Sequence, residues 1–154
     1  MLNFTFFDMN SLQVTSNNER IELKNEGGYV FLIIETDKMN NWLYYKWRGF
    51  LLIEELKKGY NKILEILESQ KLHKALADHA NIVGPWNEAN DWLVSEWTPK
   101  ANKLGLKYLA INTAGDLFSN ISLELFLINN KNSHYTTQVF DSLEEAKSWL
   151  KKVS

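Results

Sequence analysis

The sequence predicts an α/β protein built on a mixed, mostly parallel sheet flanked by helices. Two observations lead to this fold class. Segments with the two-residue period of a half-buried strand alternate with segments that have the 3.6-residue period of an amphipathic helix. The order along the chain is β-β-β-α-β-α-β-α-β-α, which is typical of right-handed crossovers between parallel strands, with the first strands added as a hairpin or meander.

The N-terminal part of this order is three strands. Ile21 and Leu23 alternate with charged residues, and the following NEGG sequence (residues 25–28) suits a hairpin turn. Residues 29–34 are apolar on both faces, which predicts a central strand covered on both sides. After a polar turn, residues 42–47 (WLYYKW) form the third strand.

The middle of the chain begins with a helix after Gly49, whose apolar residues repeat at helical spacing. Residues 74–78 (KALAD) predict a short buried strand, and a tryptophan-rich helix follows it. Residues 106–112 (LKYLAIN) form the next strand, entered after Gly105 as the helix C-cap.

The last elements are a helix, a strand and a helix. Residues 120–128 (NISLELFLI) suit a strand by composition, but their position between two strands favours a crossover helix. Residues 135–140 alternate as a strand. Ser142 and Glu145 have the spacing of a capping box, which places the start of the final helix. Residues 19–154 therefore form one domain, and residues 1–18 are either an edge strand over residues 4–7 or a loosely held arm.

The tryptophan-rich segment GPWNEANDWLVSEW (residues 84–97) raises the question of a binding surface. On a helical wheel Trp86, Leu93 and Trp97 fall in one narrow sector, which indicates an ordinary core stripe. Trp92 lies about 120° from that stripe. It either packs against the flank of the helix or meets a partner.

Composition excludes several classes of function. The chain has no cysteine, which excludes disulfides, thiolate nucleophiles and thiolate metal sites. Its net charge of −2 gives no electrostatic footprint for nucleic acid or an anionic membrane. It shows neither a secretory signal nor an apolar run of membrane-spanning length, so we expect a cytoplasmic protein.

Candidate site residues follow from the predicted topology. In open α/β sheets ligands bind beyond the carboxyl ends of parallel strands, beside helix N-termini. Two predicted loops, residues 78–85 and residues 112–119, lie at that end. With the neighbouring tryptophan helix they supply the candidate ligand- or partner-binding residues Asp78, His79, Asn81, Trp86, Asn87, Trp92, Asn112 and Thr113.

The sequence shows no catalytic or metal-binding constellation. The three histidines are scattered without metal-ligand spacing, and the nucleophile elbow, the P-loop and the dinucleotide fingerprint are absent. We therefore predict no catalytic residue, no metal and no cofactor.

The chain resembles uncharacterised bacterial proteins of the SpoIIAA-like group, which are related to STAS domains. The resemblance is carried by LADHANIVGPWNEANDWLVSEWTPKANKLGLKYLAI, FSNIS and VFDSLEEAKSWL. It implies a sheet flanked by helices and no established reaction. STAS domains of this kind carry a phosphorylatable serine at the helix after the strand that matches residues 74–78. Here residues 78–90 contain no serine or threonine, so the phosphoserine switch is not carried over.

These observations lead to a non-enzymatic module that binds a protein partner or a small ligand near the loop from Asp78 to Trp86. One alternative is a carrier of lipid or another apolar ligand, which requires a sizeable apolar cavity. A second alternative is an enzyme that works with Asp78 and His79. A homodimer through Trp92 also stays open.

Overall fold

The structure is a computed structural model that describes residues 19–113 and 115–154. The predicted edge strand at residues 4–7 lies outside the described residues. In the described part, six strands form one sheet in which each strand lies beside its neighbours in the chain. The strands are β1 (Glu19–Lys24), β2 (Val30–Asp37), β3 (Trp42–Gly49), β4 (Lys74–Ile82), β5 (Tyr108–Asn112) and β6 (Thr136–Phe140).

Four helical elements accompany the sheet. Three of them are regular α-helices, and α2 is a continuous run of four segments. The elements are α1 (Ile53–Gln70), α2 (3₁₀ turn Asn87–Ala89, α-helical turn Asn90–Trp92, π-helical turn Leu93–Trp97 and α-helix Thr98–Leu104), α3 (Leu117–Asn129) and α4 (Leu143–Lys152).

The mixed sheet confirms the predicted α/β class. Strands β1, β2 and β3 form an antiparallel meander, and β3, β4, β5 and β6 are mutually parallel. Residues 120–128 form most of α3. This confirms the crossover helix that was predicted from their position between two strands, although their composition also suited a strand. Gly105 caps α2 in the left-handed conformation at φ 89°, and Ser142 accepts a hydrogen bond from the Glu145 N–H at the start of α4.

The sheet separates two cores of unequal size. Helices α1, α2 and α3 cover one face and enclose the main core, which includes Leu32, Trp47 and Ile63. Helix α4 packs on the other face against Leu76 and Ala110. Among the described residues, no helix covers β2 on this side. Ile33 is half-buried there, so the described part of the chain does not cover β2 fully on both faces as the sequence predicts.

Two elements differ from the sequence prediction in length or shape. Strand β4 runs to Ile82, so the residues from Asp78 onward that were expected in a loop continue the strand. Helix α2 widens into a π-helical turn immediately before Pro99, where the proline ring and its missing N–H are incompatible with regular α-helical bonding. Pro99 is exposed, as its place opposite the core stripe predicts.

The pairing of β4 and β5 sets the position of the candidate site. The two strands run parallel, with Lys74 opposite Tyr108 and Asp78 opposite Asn112. Their carboxyl ends therefore share one edge of the sheet, as predicted. The strand order nevertheless never reverses within the described chain, so the sheet lacks the switch point at which α/β proteins usually form a ligand crevice.

Candidate functional site

A hydrogen-bonded carboxylate network joins β3, β4 and β5, through Tyr44 near the start of β3, Asp78 in the middle of β4 and Asn112 at the end of β5. Asp78 is buried; its Oδ2 accepts a hydrogen bond from the Tyr44 hydroxyl at 2.6 Å. Its Oδ1 accepts from Asn112 Nδ2 and from the Ala80 N–H, both at 3.0 Å. Burial raises the pKa of Tyr44, and the bond to Asp78 raises it further, so the phenol remains a donor. Three donors thus occupy the Asp78 carboxylate, which ties three strands together.

His79 follows Asp78 in sequence but faces the main core, because side chains alternate across a strand. Its ring packs edge-on against Trp86, with ring centroids 5.7 Å apart. It also lines an enclosed cavity of about 20 Å³ with Tyr45, Tyr60 and other core residues, which is room for about one water molecule. Burial lowers the pKa of His79 to about 4, and the Asp78 charge opposes this shift only in part. The imidazole is therefore neutral near pH 7.

This arrangement bears on both alternatives raised by the sequence. Asp78 and His79 point to opposite faces of the sheet, so they do not meet at one reaction centre. The Nδ1 atom of His79 has no hydrogen-bond partner among the described residues. The enclosed cavity is also far smaller than the several hundred Å³ that a ligand pocket needs.

A second polar network fixes the loop after β4 to α3. The Trp86 N–H donates to Ser122 Oγ at 2.9 Å, and the Trp86 indole Nε1 donates to Ser119 Oγ at 3.1 Å. Ser122 Oγ in turn donates to Asn87 Oδ1 at 3.3 Å, and Asn90 Nδ2 donates to the Ser122 carbonyl. Both serines are buried. Trp86 is therefore a structural anchor, and α3 turns its serines inward to hold it.

Three loops at the same end of the sheet are bonded to one another. The Val83 N–H donates to the Gly49 carbonyl at 3.0 Å. Gly84 has a positive φ, and a Cβ atom there would lie 3.0 Å from the Phe50 ring. The Asp116 carboxylate accepts N–H groups from Ser119, Gly84 and Phe118, and these bonds lower its pKa. The loops after β3, β4 and β5 thus form one connected edge.

That edge exposes large apolar side chains, which we call the apolar rim. Its members protrude from the three bonded loops and from the first turn of α3 and are each at least 57% exposed: Phe50, Leu52, Val83, Leu117 and Phe118. A surface crevice of about 350 Å³ opens between Phe50, Leu52 and Pro85. The rim continues along α3 through Ile121, Leu125 and Ile128, which are also exposed.

The remaining predicted site residues are dispersed. Asn81 is exposed, and Asn87 is exposed but belongs to the network around Ser122. Thr113 Oγ1 donates to the Phe140 carbonyl and to Asp141 Oδ1. Trp92 is half-buried against the main core, and the Lys57 ammonium lies 5.9 Å from its ring centroid. The structure therefore supports the packing interpretation of Trp92.

Sequence reasoning missed the apolar rim. The available signal was the apolar run of residues 117–128, which contains more large hydrophobic residues than one buried helix face can hold. Which of them face solvent depends on the two inward serines, and their bonds to Trp86 are not visible in the sequence.

Residues 19–113 and 115–154 contain no group of three or more His, Asp or Glu side chains placed to hold a metal ion. None of the helices in the same ranges combines the length and apolar character needed to cross a membrane. Comparison with protein-family models, curated proteins and solved structures finds no match.

Proposed function

We propose that the chain is a non-enzymatic binding module that docks a protein partner on the apolar rim, beside the loop that ends at Trp86. The observation that carries the proposal is the concentration of exposed apolar side chains. Of the ten large hydrophobic residues exposed in the described chain, eight belong to the apolar rim or to the adjoining face of α3. Of the other two, Tyr29 lies beside Gly49 at the border of the rim, and Met39 lies in the turn between β2 and β3.

The size of this surface favours a macromolecular partner. Aromatic side chains bury 150–250 Å² each when fully enclosed, so a Leu, Ile or Phe that is about half exposed leaves on the order of 100 Å² accessible. Eight such side chains together exceed the few hundred Å² of contiguous apolar surface usual for a monomer. Surfaces of that size typically mark protein–protein contacts.

The rigidity of the rim supports the same conclusion. Its loops are held by the Val83–Gly49 hydrogen bond and by the Asp116 carboxylate. A surface already ordered before association loses little conformational entropy on binding. The resemblance to SpoIIAA-like proteins agrees with a regulatory binding role, and the lack of serine and threonine in residues 78–90 separates this module from the phosphoserine switch.

The test is site-specific photo-crosslinking in cells of the source organism. A photoreactive phenylalanine analogue replaces Phe50 in one full-length variant and Met39, which is 89% exposed and outside the rim, in the control. We expect one protein adduct that depends on the position-50 probe. The affinity of that protein for purified chain should then fall at least about tenfold in the double variant Phe50→Ser/Val83→Ser.

Three results would count against the proposal. One is equal crosslinking from positions 50 and 39, and another is unchanged affinity of the double variant. The third is an adduct made only of two copies of the chain, which would assign the rim to a homodimer. Circular dichroism and thermal unfolding check that the exposed substitutions leave the fold intact.

A further inference from the structure

The outer face of α3 has the residue spacing of a helix-packing seam. Phe118, Ile121, Leu125 and Ile128 are all exposed and are separated by three, four and three residues. This is the a–d spacing of a coiled coil, and it presents a straight apolar stripe to a second helix. The stripe covers eleven residues, and its first and last members are about 15 Å apart along the helix axis.

Carboxylates outnumber cations around this stripe. No Lys, Arg or His occurs in residues 49–56, 80–99 or 108–130, which together form the rim loops, most of α2 and all of α3. Arg48, Lys57 and Lys131 adjoin these segments, and Lys131 is exposed three residues after Ile128. The same three segments contain seven carboxylates: Glu54, Glu55, Glu88, Asp91, Glu96, Asp116 and Glu124. Glu124 is exposed on α3 one residue before Leu125, in the flanking position where coiled coils place residues that select the charge of a partner.

The apolar spacing of α3 and the charge around it together favour one class of binding partner. A second copy of the chain, or an anionic lipid surface, would bring further negative charge against a surface on which carboxylates already outnumber cations. An extended strand would pair with backbone groups, whereas the helical backbone of α3 offers none. A helix with an apolar stripe and flanking Lys or Arg residues satisfies both the spacing and the charge.

We propose that the outer face of α3 binds a basic amphipathic helix of the partner, at a shallow crossing angle and with lysine or arginine beside Glu124. This inference rests on the proposed function, because it names the part of a protein partner that the surface takes. Binding should weaken with added salt, since the charge pairs around the stripe are exposed.

The test uses three synthetic 18-residue peptides and the full-length chain. Each peptide has leucine at the a and d positions; the first carries lysine at the e and g positions, the second carries glutamate there, and the third is the lysine peptide with a central proline. We expect fluorescence anisotropy to show at least about tenfold tighter binding of the lysine peptide than of either of the others.

Variants of α3 test which of its side chains determine the affinity for each peptide. Ile121→Ser/Leu125→Ser should weaken binding of the lysine peptide at least about tenfold. Glu124→Lys should weaken the lysine peptide and strengthen the glutamate peptide. The matched control Glu68→Lys changes an exposed glutamate on α1 and should leave both affinities within about twofold.

Equal binding of all three peptides, or indifference to Glu124→Lys, would overturn the inference. So would peptide binding that appears only after Phe4, Phe6 and Phe7 are changed to serine in the full chain, because the occupant would then be the chain's own N-terminal segment. If Phe50→Ser/Val83→Ser abolishes the crosslinked partner's binding but no peptide binds, the inference fails and the proposed function stands. If that double variant has no effect on the partner, the proposed function itself fails.

Discussion

Helices α1 and α3 cover the same face of the sheet but distribute their side chains in opposite ways. Helix α1 buries its apolar stripe, including Leu56, Ile63 and Leu67, and exposes only polar and charged residues. Helix α3 buries Ser119 and Ser122 beside Leu123 and Phe126, while five of its Leu, Ile and Phe side chains face solvent.

The difference shows which apolar side chains stabilise the fold and which contribute less to it. Burial of the α1 stripe removes apolar surface from water, which is the main favourable contribution to folding. The exposed residues of α3 keep 41–67% of their surface in water and contribute correspondingly less. A buried serine is costly unless it is hydrogen-bonded, and Ser119 and Ser122 meet this condition through Trp86. Helix α3 is therefore held by these polar contacts together with Leu123 and Phe126, and its other Leu, Ile and Phe side chains stay largely at the surface.

The largest contrast is expected between two isoleucines. Ile63 on α1 is 0% exposed and Ile128 on α3 is 61% exposed. Ile63→Ala should lower the free energy of unfolding by about 2–5 kcal/mol, because it removes buried methyl groups and leaves a cavity. Ile128→Ala should change it by no more than about 0.5 kcal/mol. Urea denaturation monitored by tryptophan fluorescence measures both values. Similar losses for the two variants would mean that the outer face of α3 is covered in the isolated chain.

Acid should destabilise the side of the core that anchors α3, through His79. Its pKa falls from 6.5 to about 4 on folding, because burial disfavours the imidazolium. Above pH 6.5 both states are neutral and His79 adds no pH dependence. Between pH 6.5 and pH 4 only the unfolded chain gains the proton, so about 3 kcal/mol of stability is lost as the pH falls. The loss of unfolding free energy between pH 7.5 and pH 4 should shrink by that amount in His79→Leu.

A persistent acid dependence of equal size in His79→Leu would assign the effect to other groups. Carboxylates also titrate near this range, and Asp116 is one of them. Its lowered pKa gives stability that is present above the pKa of the unfolded chain and is lost as the pH falls through the lower folded value. The comparison between wild type and variant at matched pH removes that shared contribution.

Local patterns were sufficient to predict the order of the elements. The stripe of α1, the glycine cap at Gly105 and the Ser142 cap each depend on neighbours within a few residues in the sequence. The end of β4 was not predictable in this way, because HANI has no apolar alternation and is held as a strand by its neighbours: Asn81 pairs with Arg48 and Ile82 with Gly49. The irregular α2 likewise depends on how the chain accommodates Pro99.

The candidate site was only partly predictable for a similar reason. The shared edge of β4 and β5 follows from the alternating order, so Asp78 and Asn112 were correctly placed side by side. Their partner Tyr44 and the separation of His79 from them depend on the true length of β4. The apolar rim depends on the inward orientation of Ser119 and Ser122, which only the packed structure fixes.

The serine anchor of α3 should have a moderate effect. Ser122→Ala removes the acceptor of the buried Trp86 N–H and should cost about 1–3 kcal/mol of unfolding free energy, which is the cost of leaving a buried donor unsatisfied. Ser69→Ala is the control on α1, because Ser69 is exposed and should cost no more than about 0.5 kcal/mol. Denaturation of the two variants under the same conditions gives the comparison. A cost below that of Ser69→Ala would show that Trp86 does not depend on Ser122.

A small effect on stability is expected for Leu125→Ser. This variant tests the contrast between α1 and α3 most directly. Leu125 is 41% exposed, so its replacement removes only part of the contribution of a buried leucine and should lower the unfolding free energy by about 1 kcal/mol. It interrupts the apolar stripe at its centre, however, and should lower the fluorescence of an added hydrophobic dye. Met39→Ser, on an isolated apolar residue, should leave the dye signal unchanged. If Leu125→Ser unfolds the chain instead, α3 uses its outer face for its own folding, and the distinction drawn between the two helices is lost.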